Sequence, residues 1–180
     1  MEDVRTRLEN GSPILFRKTD PILLPLSEKL LEEDKATLVI WTFDLINEAV
    51  SYLSARYPDV QIFHDSVKTV MGYLSGDVDY EVRRSAIKAL HNTASFIEDK
   101  ADKALVHAVG QALSTASTRK HAMGFVVFEL TSIVLEDGIE EALQKIPGRL
   151  DDYYRKLDEA REKARKLPPE SIELIERHVK

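Results

Sequence analysis

Residues 101–136 read ADKALVHAVGQALSTASTRKHAMGFVVFELTSIVLE, and this stretch decides the fold class. Its first half is alanine-rich with Gly110 in the middle, and it predicts a helix over 101–117. An internal glycine costs a helix about 1 kcal/mol relative to alanine. Small side chains here therefore point to close approach of neighbouring helices, not to helix propensity. A second helix over 119–136 carries Phe125, Val126, Phe128, Leu130, Ile133 and Val134 on more than one face, as a helix flanked by neighbours must. These two helices are the expected centre of the fold.

Working toward the N-terminus, Asp77 and Asp79 can cap a helix whose apolar face is Val82, Ala86, Ala89, Leu90 and Ile97. Before it, Ile62, Val67, Val70, Met71 and Leu74 mark a helix over 61–74, closed by Ser75-Gly76. A longer one over 27–57 follows Leu30, Leu31, Leu38, Trp41, Leu45, Ala49, Tyr52 and Leu53 and stops before Pro58. Residues 1–26, with Pro13, Pro21 and Pro25, read as an irregular arm laid over the body by Ile14, Leu15, Phe16 and Leu23. Toward the C-terminus, Gly138 and Pro147 are expected to break the chain. Leu150, Tyr153, Leu157, Ala160, Ala164 and Leu167 then form one apolar seam, which could dock on the body or join two copies in a homodimer. Pro168-Pro169 precede a short last helix. No segment alternates with period two. The expected architecture is all-α: an arm over 1–26 and one domain over 27–180, a bundle of six to seven antiparallel helices.

Composition narrows the function. The chain has 180 residues, 25 basic against 31 acidic side chains and a formal charge of −6, the wrong sign for binding phosphate backbone. The absence of cysteine removes thiolate nucleophiles and cysteine zinc sites. No apolar run is long enough to span a membrane, and residues 1–10 lack the apolar core of a secretory signal. A cytoplasmic protein that binds neither nucleic acid nor membrane is expected.

Nothing in the sequence assembles a reaction centre. His64, His91, His107, His121 and His178 form no HExxH or His-x-His spacing, so no metal or cofactor is expected. No Gly-rich phosphate loop and no strained nucleophile elbow accompany Ser114 or Ser117. A polar face nevertheless runs along the small-residue helix through His107, Gln111 and Ser114, at i, i+4 and i+7, and His121 and Asp44 could join it. Its ordinary explanation is hydrogen bonding between buried helices. Its alternative use is a ligand-binding or enzymatic pocket. Residues 77–90 also resemble one HEAT-type unit, but a scaffold of such units needs a repeat that the chain does not show.

Charge placement is more informative. If the helices alternate in direction, the turns after the first, third and fifth lie at one end. They carry Asp59 and Asp65, then Glu98, Asp99 and Asp102, then Glu136, Asp137, Glu140 and Glu141. Part of this is helix capping. The remainder marks an acidic end able to steer a basic partner, with Asp59, Glu98, Asp99, Asp102, Glu136, Asp137 and Glu140 as the candidate contacts.

Several ordered features resemble the Imm-5-like family of bacterial immunity proteins. They are Trp41-Thr-Phe-Asp44 followed by Tyr57-Pro58-Asp59, then Tyr73-Leu-Ser-Gly76, then Ala108-Val-Gly110 through Ser114-Thr-Ala116 to His121-Ala122, and Leu167-Pro168. The resemblance covers about residues 35–180. The chain departs from the family pattern at Leu45-Ile46, Phe125 and Phe128, changes that repack a core. The resemblance implies a non-catalytic antitoxin that binds and occludes a cognate toxin.

Overall fold

The computed structural model describes residues 2–177, so the last three residues of the expected domain, His178 among them, lie outside the described region. Among the described residues nine α-helices follow one another: α1 (Glu2–Glu9), α2 (Leu24–Glu32), α3 (Lys35–Arg56), α4 (Ile62–Ser75), α5 (Tyr80–Thr93), α6 (Lys100–Ser114), α7 (His121–Asp137), α8 (Ile139–Ala164) and α9 (Pro169–Glu176). A 3-10 turn, Ala94–Phe96, links α5 to α6. There is no strand among the described residues, so the all-α class holds, but the expected count of six to seven helices was too low.

Local chemistry accounts for the differences. The helix expected over 27–57 is two, because Asp34 turns extended and its side chain accepts from the Thr37 amide at 2.6 Å, starting α3 afresh. The apolar spacing hides this break, since Leu31 and Leu38 are two full turns apart. Conversely, Pro147 does not break α8. Ala142, Ile146, Tyr153, Leu157, Ala160 and Ala164 form one buried stripe in phase across the proline, and tertiary packing outweighs the single lost helical bond. The third difference is α1, inside the segment expected to be irregular.

The centre is α6, whose Val106, Ala108, Val109, Ala112 and Leu113 are wholly buried. It packs on α7 and also on α3 and α5. Trp41 of α3, Phe125 of α7 and Tyr153 of α8 meet edge to face, with ring centroids 6.0–6.4 Å apart. The Trp41 indole N–H donates to the Tyr153 carbonyl at 3.0 Å. Each such aromatic pair is worth about 0.5–1.5 kcal/mol beyond its buried area. The seam of α8 is thereby occupied by α3 within one chain.

The arm belongs to the same apolar cluster. Val4, Leu15, Phe16 and Leu23 are buried in it, whereas Ile14 is exposed. Arg7 holds Asp20 in a forked pair at 2.6 and 2.8 Å and also donates to the Leu15 carbonyl at 2.7 Å. The Leu15 amide donates to Thr131 Oγ1 on α7 at 3.1 Å, fixing the arm across the body.

Candidate functional site

The acidic end is built where the last turn of α3, the first turn of α6 and the last turn of α7 come together. Asp99 caps α6, accepting from the Asp102 amide at 3.0 Å. Asp102 is 1% exposed; it accepts from the Tyr57 hydroxyl at 2.6 Å and pairs with Arg56 Nε at 2.7 Å. It ties α3 to α6 and presents almost no surface. Burial, together with Asp102, pushes the Tyr57 hydroxyl up from its ordinary pKa.

Of the seven candidate contacts, four are engaged within the chain. Asp99 and Asp102 face Arg56, Asp137 faces Lys145 at 2.8 Å, and Glu140 faces Arg5 at 2.7 Å. Asp59, Glu98 and Glu136 are exposed and have no ion pair among the described residues.

Asp102, Glu136 and Asp137 line a shallow groove of about 400 Å³ between α3, α6, α7 and α8. Its other lining includes Glu48 and Tyr52, one turn apart on α3, and Glu129 on α7. Tyr52 is 41% exposed and sits beneath Arg56, whose guanidinium donates to the hydroxyl at 3.3 Å. The floor is closed by half-buried Arg149, which meets buried Glu129 at 2.6 and 3.1 Å, and the Tyr153 hydroxyl donates to the same carboxylate. Burial would pull the Arg149 guanidinium down, but its hydrogen bonds to Glu129 hold its pKa above the usual arginine range. Burial pushes the Tyr153 hydroxyl far up. Reasoning from turns misses Glu48, Tyr52 and Glu129, which lie inside helices. The available signal was their spacing: Glu48 with Tyr52, and Glu129 with Ile133 and Glu136, each share one helix face.

The predicted polar face lies on the other side of α6, but its five residues do not converge. His121 Nδ1 donates to Gln111 Oε1 at 2.7 Å, and Ser114 Oγ donates to the Gly110 carbonyl at 2.7 Å. His107 instead faces His91 of α5, a residue the periodicity did not single out, with their Nδ1 atoms 3.1 Å apart and the rings stacked at 5.4 Å. Asp44 is elsewhere, paired with Lys163 of α8 at 2.5 Å. Two glycines make the seam possible. A Cβ on Gly110 would stand 2.4 Å from His91 Cε1, and one on Gly124 would stand 2.4 Å from Gln111 Oε1.

Burial lowers the pKa of His91, His107 and His121. With Ser114 donating to its own helix, no nucleophile and base are paired in this seam. Among the described residues no group of three or more His, Cys, Asp or Glu side chains is placed to hold a metal ion. Among them, too, no helix is long and apolar enough to cross a membrane.

A family model described as Imm-5 like putative immunity protein matches residues 28–161, from α2 to near the end of α8. That span contains both the acidic groove and the histidine seam, and the chain belongs to this family. No curated protein and no solved structure matches the chain.

Proposed function

We propose that this member of the Imm-5-like family is an antitoxin of the bacterial cytoplasm that binds a cognate protein toxin and occludes it without catalysis. The observation that carries this reading is the groove around Tyr52. Two exposed carboxylates, Glu48 and Glu136, flank an aromatic ring that Arg56 already holds in place, above a floor locked by Glu129 and Arg149. Rigid aromatic anchors with complementary charge are what tight protein recognition uses. An acidic groove suits a basic toxin surface, where long-range attraction speeds encounter and wrong partners are repelled. Glu98 and Asp59 extend the same field.

The test is affinity purification of the tagged protein from its own cells at low and at moderate salt, comparing wild type with Glu48→Lys/Glu136→Lys. Both positions are exposed, so the variant keeps its fold. Stoichiometric recovery of one protein by wild type, inhibition of that protein's toxic activity on mixing, and loss of both in the variant support occlusion through the groove. Recovery that is indifferent to the charge reversal moves the contact elsewhere. A partner whose activity is unaffected overturns the antitoxin reading.

A further inference from the structure

A second hollow, of about 640 Å³, lies on another part of the surface, between α2, the start of α3 and the turn that leads into α7. Lys18, Lys35, Arg119 and Lys120 line it, a concentration of positive charge in a chain whose formal charge is −6. Its two carboxylates are turned to backbone. Asp34 accepts from the Thr37 amide at 2.6 Å, and Glu176 from the Ala36 amide at 3.2 Å. Arg119 is anchored on the Glu33 carbonyl at 2.8 Å. Ser117 and Thr118 add hydroxyls to the rim, and Leu30, Leu31 and Met123 supply an apolar wall, of which Leu31 is 68% exposed.

Lys35 is the unusual member. It is 3% exposed, yet its ammonium makes one long hydrogen bond, 3.4 Å to the Arg177 carbonyl, and faces no carboxylate in an ion pair among the described residues. A buried ammonium has three protons to satisfy. Its surroundings deepen the imbalance. Arg83 and Arg177 stack on Tyr73 at 4.4 and 4.1 Å, and buried Arg83 leaves Nε and Nη1 without a partner among the described residues. Burial, then the charges of Arg83 and Arg177, pull the Lys35 pKa down against the single opposing pull of Glu176. The packing of α9 on α3 and α4, with Ile175 buried against Ala36 and Val39, brings Arg83 and Arg177 near Lys35, outside the lining of the hollow.

The turn contributes as well. The amides of Arg119 and Lys120 have no backbone acceptor among the described residues, because they precede the first hydrogen-bonded turn of α7. Free amides at a helix start and lysine ammoniums together favour a doubly charged oxyanion.

We propose that this hollow is a binding site for a small organic phosphate, its phosphate held by Lys35, Lys120 and the amides of the Arg119-Lys120 turn and its apolar body resting on Leu31 and Met123. The site is independent of the acidic groove and of any toxin. It would make the α2–α7 junction responsive to a phosphorylated metabolite.

The test is a two-dimensional amide NMR titration of the full chain at constant ionic strength, with phenyl phosphate and with inorganic phosphate as probes. Saturable shifts centred on Arg119, Lys120 and Met123 are expected, with phenyl phosphate bound at least about fivefold tighter because its ring buries apolar surface. Lys120→Glu, an exposed substitution that leaves the remaining spectrum in place, should weaken phenyl phosphate binding about tenfold or more. Lys35→Met removes the buried ammonium while keeping its volume and should do the same. Shifts that grow linearly without saturation, or that persist unchanged in Lys120→Glu, overturn the proposal. Equal affinity for the two probes overturns the apolar half of the site.

Discussion

His91 and His107 meet through their Nδ1 atoms at 3.1 Å, and the His91 ring fills the space that a Cβ on Gly110 would take. One ring must donate and the other accept, so the pair is built for two neutral imidazoles or one shared charge. Burial lowers the pKa of both below the ordinary 6.5; His107 and His121 add to this at His91, as Lys103 does at His107. The sign follows directly. The unfolded chain takes up protons near pH 6.5 while the folded chain resists them, so the contribution is intact above that pH and is lost as pH falls through it toward the lowered values. Urea midpoints should therefore drop between roughly pH 7.5 and pH 5.5. His91→Gln should flatten that dependence, and a dependence as steep as wild type's in this variant would refute the assignment.

Gly110→Ala should destabilise by about 1–2 kcal/mol, because the new methyl displaces the His91 ring by more than the gain in helix propensity offsets. In a His91→Ala background the clash is gone. There the same substitution should stabilise by up to about 1 kcal/mol, and a thermodynamic cycle of the four proteins measures the coupling.

These residues show how far sequence reading reached. Alanine spacing around Gly110 identified α6 as the centre because small residues record helix proximity directly. It could not say which neighbour fills the gap, since His91 arrives from α5 at a position set by tertiary packing. The same limit explains Asp34 and Pro147, where a capping carboxylate split one in-phase stripe and an in-phase stripe overrode a proline. The acidic end was legible as a cluster of turns. The engagement of Asp99, Asp102, Asp137 and Glu140 by Arg56, Lys145 and Arg5 was not, because those partners come from elsewhere in the chain.

Arg149→Met should cost about 3–5 kcal/mol, since it leaves the Glu129 carboxylate buried without its counterion. The double variant Glu129→Gln/Arg149→Met removes both charges and should recover most of the loss. Urea denaturation of the two proteins decides this, and a double variant as unstable as the single one would show that the pair matters through packing alone.

Asp102 and Glu136 line one groove but should respond in opposite ways. Asp102→Ala strips the Tyr57 hydroxyl and Arg56 of their shared acceptor at the junction of α3 and α6, so a loss of about 2–4 kcal/mol in folding stability is expected. Glu136 is exposed and unpaired among the described residues, so Glu136→Lys should change stability by less than about 0.5 kcal/mol. If the groove receives a basic partner, the second substitution slows association and reduces its salt dependence, because rim charges act mainly on encounter. Thermal melts of the two variants, followed by association kinetics with the partner at two salt concentrations, separate the carboxylate that holds the groove together from the one that faces outward.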